Sequence, residues 1–236
     1  MKYKKQILVI VLVCLYTLTL QSCKTNCDDD YEMKVLNEVF YDLIKISGAM
    51  DLLKPPPPLP YSDYAPEFIT ENQRLIDRIE KVNNGEITAV IAVVDSLFAD
   101  FDVSFENIKQ CNHRSAEFSE MEFSGRYIEA FETMGNQAST SRYLDLSKIE
   151  NTGVFKLKYT SEFPQEREIF WKKENYDFYL SGVIGISRIY FDSSRQFGVI
   201  YCYGLCNPLW GSGQFVFIRK IDDKWVIEKT IELWGS

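Results

Sequence analysis

Histidine is the scarcest resource of this sequence: 236 residues hold one, His113. A Ser–His–Asp or Cys–His nucleophilic site would have to be built on that one imidazole. It lies in Cys111-Asn112-His113-Arg114 with no nucleophile elbow or glycine-rich signature beside it, and reads as a loop histidine. No GxxxxGK[ST] and no strand-borne GxGxxG occurs, so nucleotide cofactors find no motif and none is expected. Positive charge is also short: 26 Lys and Arg stand against 34 Asp and Glu, a net charge of −8. Nucleic-acid binding runs on basic side chains that neutralise phosphates, so no nucleic-acid partner is expected. The apolar run from Ile7 to Leu20 is shorter than the roughly 20 residues that a spanning helix needs.

That short run has a different use. Lys2, Lys4 and Lys5 precede it with no acid among them, which makes a basic n-region followed by an apolar core of secretory length. It ends in Leu20-Gln21-Ser22-Cys23, which resembles the lipobox of bacterial lipoproteins. The resemblance implies that Cys23 receives a diacylglycerol, that a peptidase removes residues 1–22, and that acyl chains supply the membrane contact. Removal takes three lysines and no acid, so the net charge falls from −8 to −11. Such an acidic chain gains little from anionic lipid surfaces, which leaves attachment to the acyl chains. Residues 23–30, with Asp28-Asp29-Asp30, read as an acidic tether. Lys24 rather than Asp after the lipid cysteine implies the outer membrane, on its periplasmic face or at the cell surface.

The remaining residues, 31–236, read as a single α+β domain. Hydrophobic residues at 46% and aromatics at 14% suit a packed core rather than disorder. Val35, Leu36, Val39, Phe40, Leu43 and Ile44 recur at helical spacing and Ser47-Gly48 ends the pattern. A polyproline connector follows at 55–60. Pro66 opens a second helix that closes at Asn83-Asn84-Gly85. Ile87 to Val94 reads as a buried strand. Short helices are expected near Gly125 to Met134, Ser141 to Ile149 and Pro164 to Glu174. Phe155, Leu157 and Tyr159 alternate as a half-buried strand. Strands at about 184–191, 196–203, 214–220 and 224–234 complete the pattern, with turns at Asp192-Ser193-Ser194 and Asp222-Asp223. The expected architecture is N-terminal helices packed on one face of a curved antiparallel β-meander.

The series Phe170-Trp171, Gly185-Ile186-Ser187-Arg188-Ile189, Tyr201-Cys202-Tyr203-Gly204-Leu205-Cys206, Gly211-Ser212-Gly213, Lys224-Trp225 and Leu233-Trp234 resembles a family of uncharacterised bacterial exported proteins. The resemblance covers the last third of the chain and implies the meander, but it carries no activity and no catalytic residue.

Four cysteines remain in the mature chain besides Cys23: Cys27, Cys111, Cys202 and Cys206. With His113, three of them have the elements of a zinc site, but the spacing lacks the usual C-x2-4-C pairs, and no metal is expected. An oxidising compartment favours disulfides, and four cysteines permit three pairings. Cys202–Cys206 is the most attractive pair because Gly204 would let the chain turn between them. Arg188 lies in an apolar strand and needs a partner, either a carboxylate of the fold or a ligand. The connection from Gly204 to Gly213 is longer than a hairpin requires and holds Trp210, which either forms a binding rim or folds back over the sheet.

The functional expectation is a lipid-anchored, non-catalytic binding or protective module of the cell envelope, with a glycan or protein ligand. The alternative is an envelope hydrolase acting on glycan or peptidoglycan through paired carboxylates. An immunity-type inhibitor of a basic toxin is the third reading.

Overall fold

A computed structural model describes residues 30–48, 66–99, 124–136 and 140–235. The expected signal peptide at 1–22, Cys23, Cys27, the polyproline run 55–60, Cys111 and His113 lie outside the described residues. Asp30, expected at the end of the acidic tether, is the first residue of a helix.

Helix α1 (30–46) presents Met33, Leu36, Val39, Phe40, Leu43 and Ile44 to the core. At its end Ser47 N–H donates to Leu43 O at 3.0 Å, and Ser47 Oγ donates to Ile44 O at 2.8 Å. Helix α2 (Pro66–Asn83) starts on proline and closes with paired bonds, Gly85 N–H to Val82 O and Glu86 N–H to Lys81 O. That pair is a Schellman motif, which satisfies carbonyls the helix end leaves over.

The strands are β1 (Ala89–Val93), β2 (Ser96–Leu97), β3 (Arg142–Tyr143), β4 (Phe155–Tyr159), β5 (Tyr179–Ile186), β6 (Tyr190–Phe191), β7 (Phe197–Leu205), β8 (Gly211–Ile221) and β9 (Lys224–Gly235). Helix α3 (Ser124–Asn136) covers the short helix expected near Gly125 to Met134, and α4 (Arg167–Phe170) is one turn long. The main sheet runs β4-β1-β5-β7-β8-β9, with β6 paired to β7. It is a mixed sheet, not a purely antiparallel meander: β1 is parallel to both β4 and β5, while β5, β7, β8 and β9 follow one another antiparallel. Every residue of β1 is buried, as expected of a parallel strand covered on both faces. The helix expected at 141–149 is replaced by β3, which pairs with β2, and a 3-10 turn at Leu146–Lys148.

Alternation along β7 and β8 sorts the core into layers. Ile200, Cys202, Val216 and Ile218 cluster with α1. Val199, Tyr201, Phe215 and Phe217 cluster with Tyr127, Ala130, Phe131 and Met134 of α3. The helices therefore do not all share one face of the sheet. A third cluster joins Val90, Ala92, Leu180 and Val183 to the aromatics Phe163, Phe170, Trp171, Tyr176 and Phe178. Strands buried on both faces have no room for charge, and none occurs from Gln196 to Ile218.

Among the described residues, β4 and β9 are the outer strands. β4 is short and carries Lys156 and Lys158. β9 is long but bulged twice: the register leaves Leu233 and Glu228 without a partner residue on β8. The second bulge aims Glu228 at α3, where Tyr127 Oη donates to it at 2.6 Å, and Arg219 pairs with it at 3.2 Å.

Candidate functional site: an apolar hairpin tip

Strands β7 and β8 meet in a five-residue connection, Cys206 to Trp210. Asn207 organises it: its Oδ1 accepts from Leu209 N–H at 2.8 Å and from Trp210 N–H at 3.0 Å. Cys206 N–H donates to Trp210 O at 2.9 Å and closes the loop. Pro208 has no N–H, and its carbonyl accepts from Arg167 Nη2 of α4. Three of the loop's four N–H groups are thus bonded within it, while Leu209 and Trp210 are 77% and 66% exposed. Trp210 does not fold back over the sheet.

The glycines around this tip serve packing. Gly204 does not turn the chain; it lies within β7, opposite Ile184 and Ser212. A Cβ there would sit 2.1 Å from the Ser47 carbonyl, so its bareness lets the end of α1 approach the sheet. A Cβ on Gly213 would sit 2.1 Å from Trp234 Nε1, which donates to Tyr201 Oη at 2.8 Å.

The extended path through Gly204 also corrects the disulfide. Four residue steps at strand spacing set Cys202 and Cys206 about 13 Å apart, and a bridge needs Cα atoms within about 7 Å. The two thiols are not bridged to each other. Cys202 is buried in the core, and desolvation pushes its thiol up to about 12, an unreactive state at neutral pH. Cys206 donates through Sγ to Gly48 O at 3.6 Å.

Arg188 is not at this tip. Its Nε donates to both oxygens of Glu32, at 3.0 and 2.8 Å, and its Nη1 donates to Thr140 O at 3.1 Å. Glu32, 2% exposed, also accepts from Ile189 N–H at 2.7 Å and lies 3.5 Å from Arg142 Nη1. The arginine of the sequence reading is therefore a clamp on the start of α1, which removes it from a binding rim. Glu32 was invisible to sequence reasoning because its partner lies 156 residues away.

Other sheltered carboxylates are likewise committed to the backbone. Asp192 accepts from Gln196 N–H and Phe197 N–H at 2.9 and 2.8 Å and shapes the turn it was expected to form. Asp95, past the end of β1, accepts from Thr160 Oγ1, Ser161 N–H and Ser161 Oγ at the end of the parallel β4. Burial opposes its charge, but the hydrogen bonds from Ser161 and Thr160 outweigh that and hold the carboxyl below its ordinary pKa. A general acid near neutral pH needs the opposite shift. Among the described residues no group of three or more His, Cys, Asp or Glu is arranged to hold a metal ion, and no helix is long and apolar enough to cross a membrane.

No family model, curated protein or solved structure matches the chain, and the functional reading rests on its own residues.

Proposed function

We propose that the mature chain is a lipid-anchored, non-catalytic binding module of the bacterial cell envelope, held at the outer membrane by acyl chains on Cys23. Export and attachment rest on the basic start, the apolar run to Leu20 and the Leu20-Gln21-Ser22-Cys23 signature. The observation that carries the binding role is the hairpin tip: two large apolar side chains stand exposed on a loop fixed by Asn207 and Arg167. A side chain held in place before contact loses little entropy on binding, and tryptophan brings a large contact area. In the finer architecture we infer, α1 supports a curved meander whose central hairpin projects this tip.

The hydrolase reading is weaker. The buried Glu32 and Asp192 and the partly buried Asp95 are tied to structural donors, and Asp95 is held in its ionised form. An immunity-type role shares the acidic balance but gains no further support.

Attachment is tested by growing the host on a labelled fatty-acid analogue. Wild-type protein should take up label and partition with membranes, whereas Cys23→Ala should do neither. Equal labelling of both forms would overturn the anchor.

A further inference from the structure

The tip is uncharged in a chain rich in charge: no Asp, Glu, Lys, Arg or His occurs from Gln196 to Ile218, although the mature protein is strongly acidic. Most of that stretch is interior strand, where burial on both faces explains the composition. Burial does not explain Leu209 and Trp210, the exposed large hydrophobic residues of the same stretch. Their loop meets a requirement that water does not impose. Leu209 N–H, Trp210 N–H and Cys206 N–H all have internal acceptors, Pro208 has no N–H, and the Pro208 carbonyl is taken by Arg167. Backbone polar groups need such internal partners on entering an apolar medium. A tip in this state carries these bonds with it when it leaves water.

We propose that Leu209 and Trp210 are a second, shallow membrane contact, inserted into the interface of the bilayer that holds the acyl chains. The proposal rests on the anchored reading of Cys23 and names the partner of the tip. Three features favour a bilayer over a protein pocket. A hairpin tip is convex and enters its partner, and this one offers few backbone donors for directional recognition. An acidic protein is repelled from anionic lipid surfaces over most of its area, so its uncharged end is the part that can approach. A Trp beside an aliphatic residue is also the pairing favoured at the lipid–water interface, where the indole N–H finds headgroup acceptors.

The dimensions allow both contacts at once. Helix α1 is about 25 Å long, with its start on the tether side and its end, through Ser47, against Gly204 of β7. Residues 23–29 can span at most about 25 Å. A domain lying along the membrane then places the lipid at one end and the hairpin at the other.

The test uses lipidated mature protein in vesicles of phosphatidylethanolamine and phosphatidylglycerol, with acyl chains either plain or brominated. Flotation reports the anchor, and quenching by bromine reports the tip. Wild-type protein should lose the emission of Trp210, one of four tryptophans, in brominated vesicles. Trp210→Phe should show no such loss, and Leu209→Asp should float normally while Trp210 escapes quenching. Equal quenching of wild type and Trp210→Phe overturns the proposal while leaving the anchor intact. Protection of Trp210 from acrylamide without bromine quenching assigns the tip to another protein molecule and overturns it as well. Protein that does not float overturns the anchored reading, and the second contact with it.

Discussion

The two ends of α1 are fastened by opposite means. Its start is a charge latch: Glu32 is buried between Arg188 and Arg142 and also accepts the Ile189 N–H, and Lys148 pairs with Asp30 at 2.9 Å. Its end has no ion pair with the strand it meets; the Ser47 carbonyl lies where a side chain of residue 204 would be. The latch is long-range and polar, and depends on partners that must stay paired once water is excluded. The other end combines close packing with uncharged polar contacts, Gln214 Nε2 to Ile46 O at 2.8 Å and Cys206 Sγ to Gly48 O at 3.6 Å, and beyond it the molecule shows water a tryptophan and a leucine. Charge therefore gathers where α1 begins and is absent from the hairpin where it ends. The polar end locks structure, and the apolar end is the one free to meet something else.

The largest effect should come from the latch. Removing one partner of a buried ion pair leaves the other charge stranded, which costs roughly 3–5 kcal/mol for a fully buried pair. Because Arg188 is partly exposed, Glu32→Ala should lose nearer about 3 kcal/mol, measured as a lowered urea midpoint. Glu32→Gln should lose less, since its amide oxygen can still accept from Ile189 N–H. A loss below about 1 kcal/mol for Glu32→Ala would show that charge does not fasten this end. The shape contact is next. Gly204→Ala forces a methyl group against the Ser47 carbonyl and should destabilise by about 1–3 kcal/mol, as overpacking does. A neutral result in thermal unfolding would mean that α1 and β7 part easily. The smallest effect belongs to the tip: Trp210→Ala should stay within about 0.5 kcal/mol of wild type, as an exposed position does. A loss of several kcal/mol would return Trp210 to the core and end its role as a contact.

What the sequence made legible follows from the range of each interaction. Helices α1, α2 and α3 were readable because their apolar residues recur within a turn, and Asp222-Asp223 because a two-residue turn is local; both residues adopt positive φ there, 49° and 64°. The parallel pairing of β1 with β4 and β5 was not readable. A short, wholly buried strand has no alternation to show which neighbours cover it. Tyr143, Leu144, Leu146 and Ile149 mimic helical spacing, yet pairing of β3 with β2 and the bond from Leu144 N–H to Asp95 O override that preference. At the candidate site Trp210 was singled out from loop length, but its exposure depends on neighbours that no linear pattern supplies. Gly204 was assigned a turn because glycine permits one, whereas contact with Ser47 is what requires it. The charge-free stretch from Gln196 to Ile218 was a usable signal for the central hairpin.

The margins of the sheet bear on life at high density. Molecules confined to a surface collide far more often than in dilute solution, and any flat strand border invites a neighbour to extend the ladder. The double kink of β9, at Glu228 and Leu233, breaks the even row of donors and acceptors such a neighbour would need, and β4 offers five residues guarded by two lysines. The ladder therefore terminates within one molecule, so crowded copies can stand side by side without fusing into ribbons.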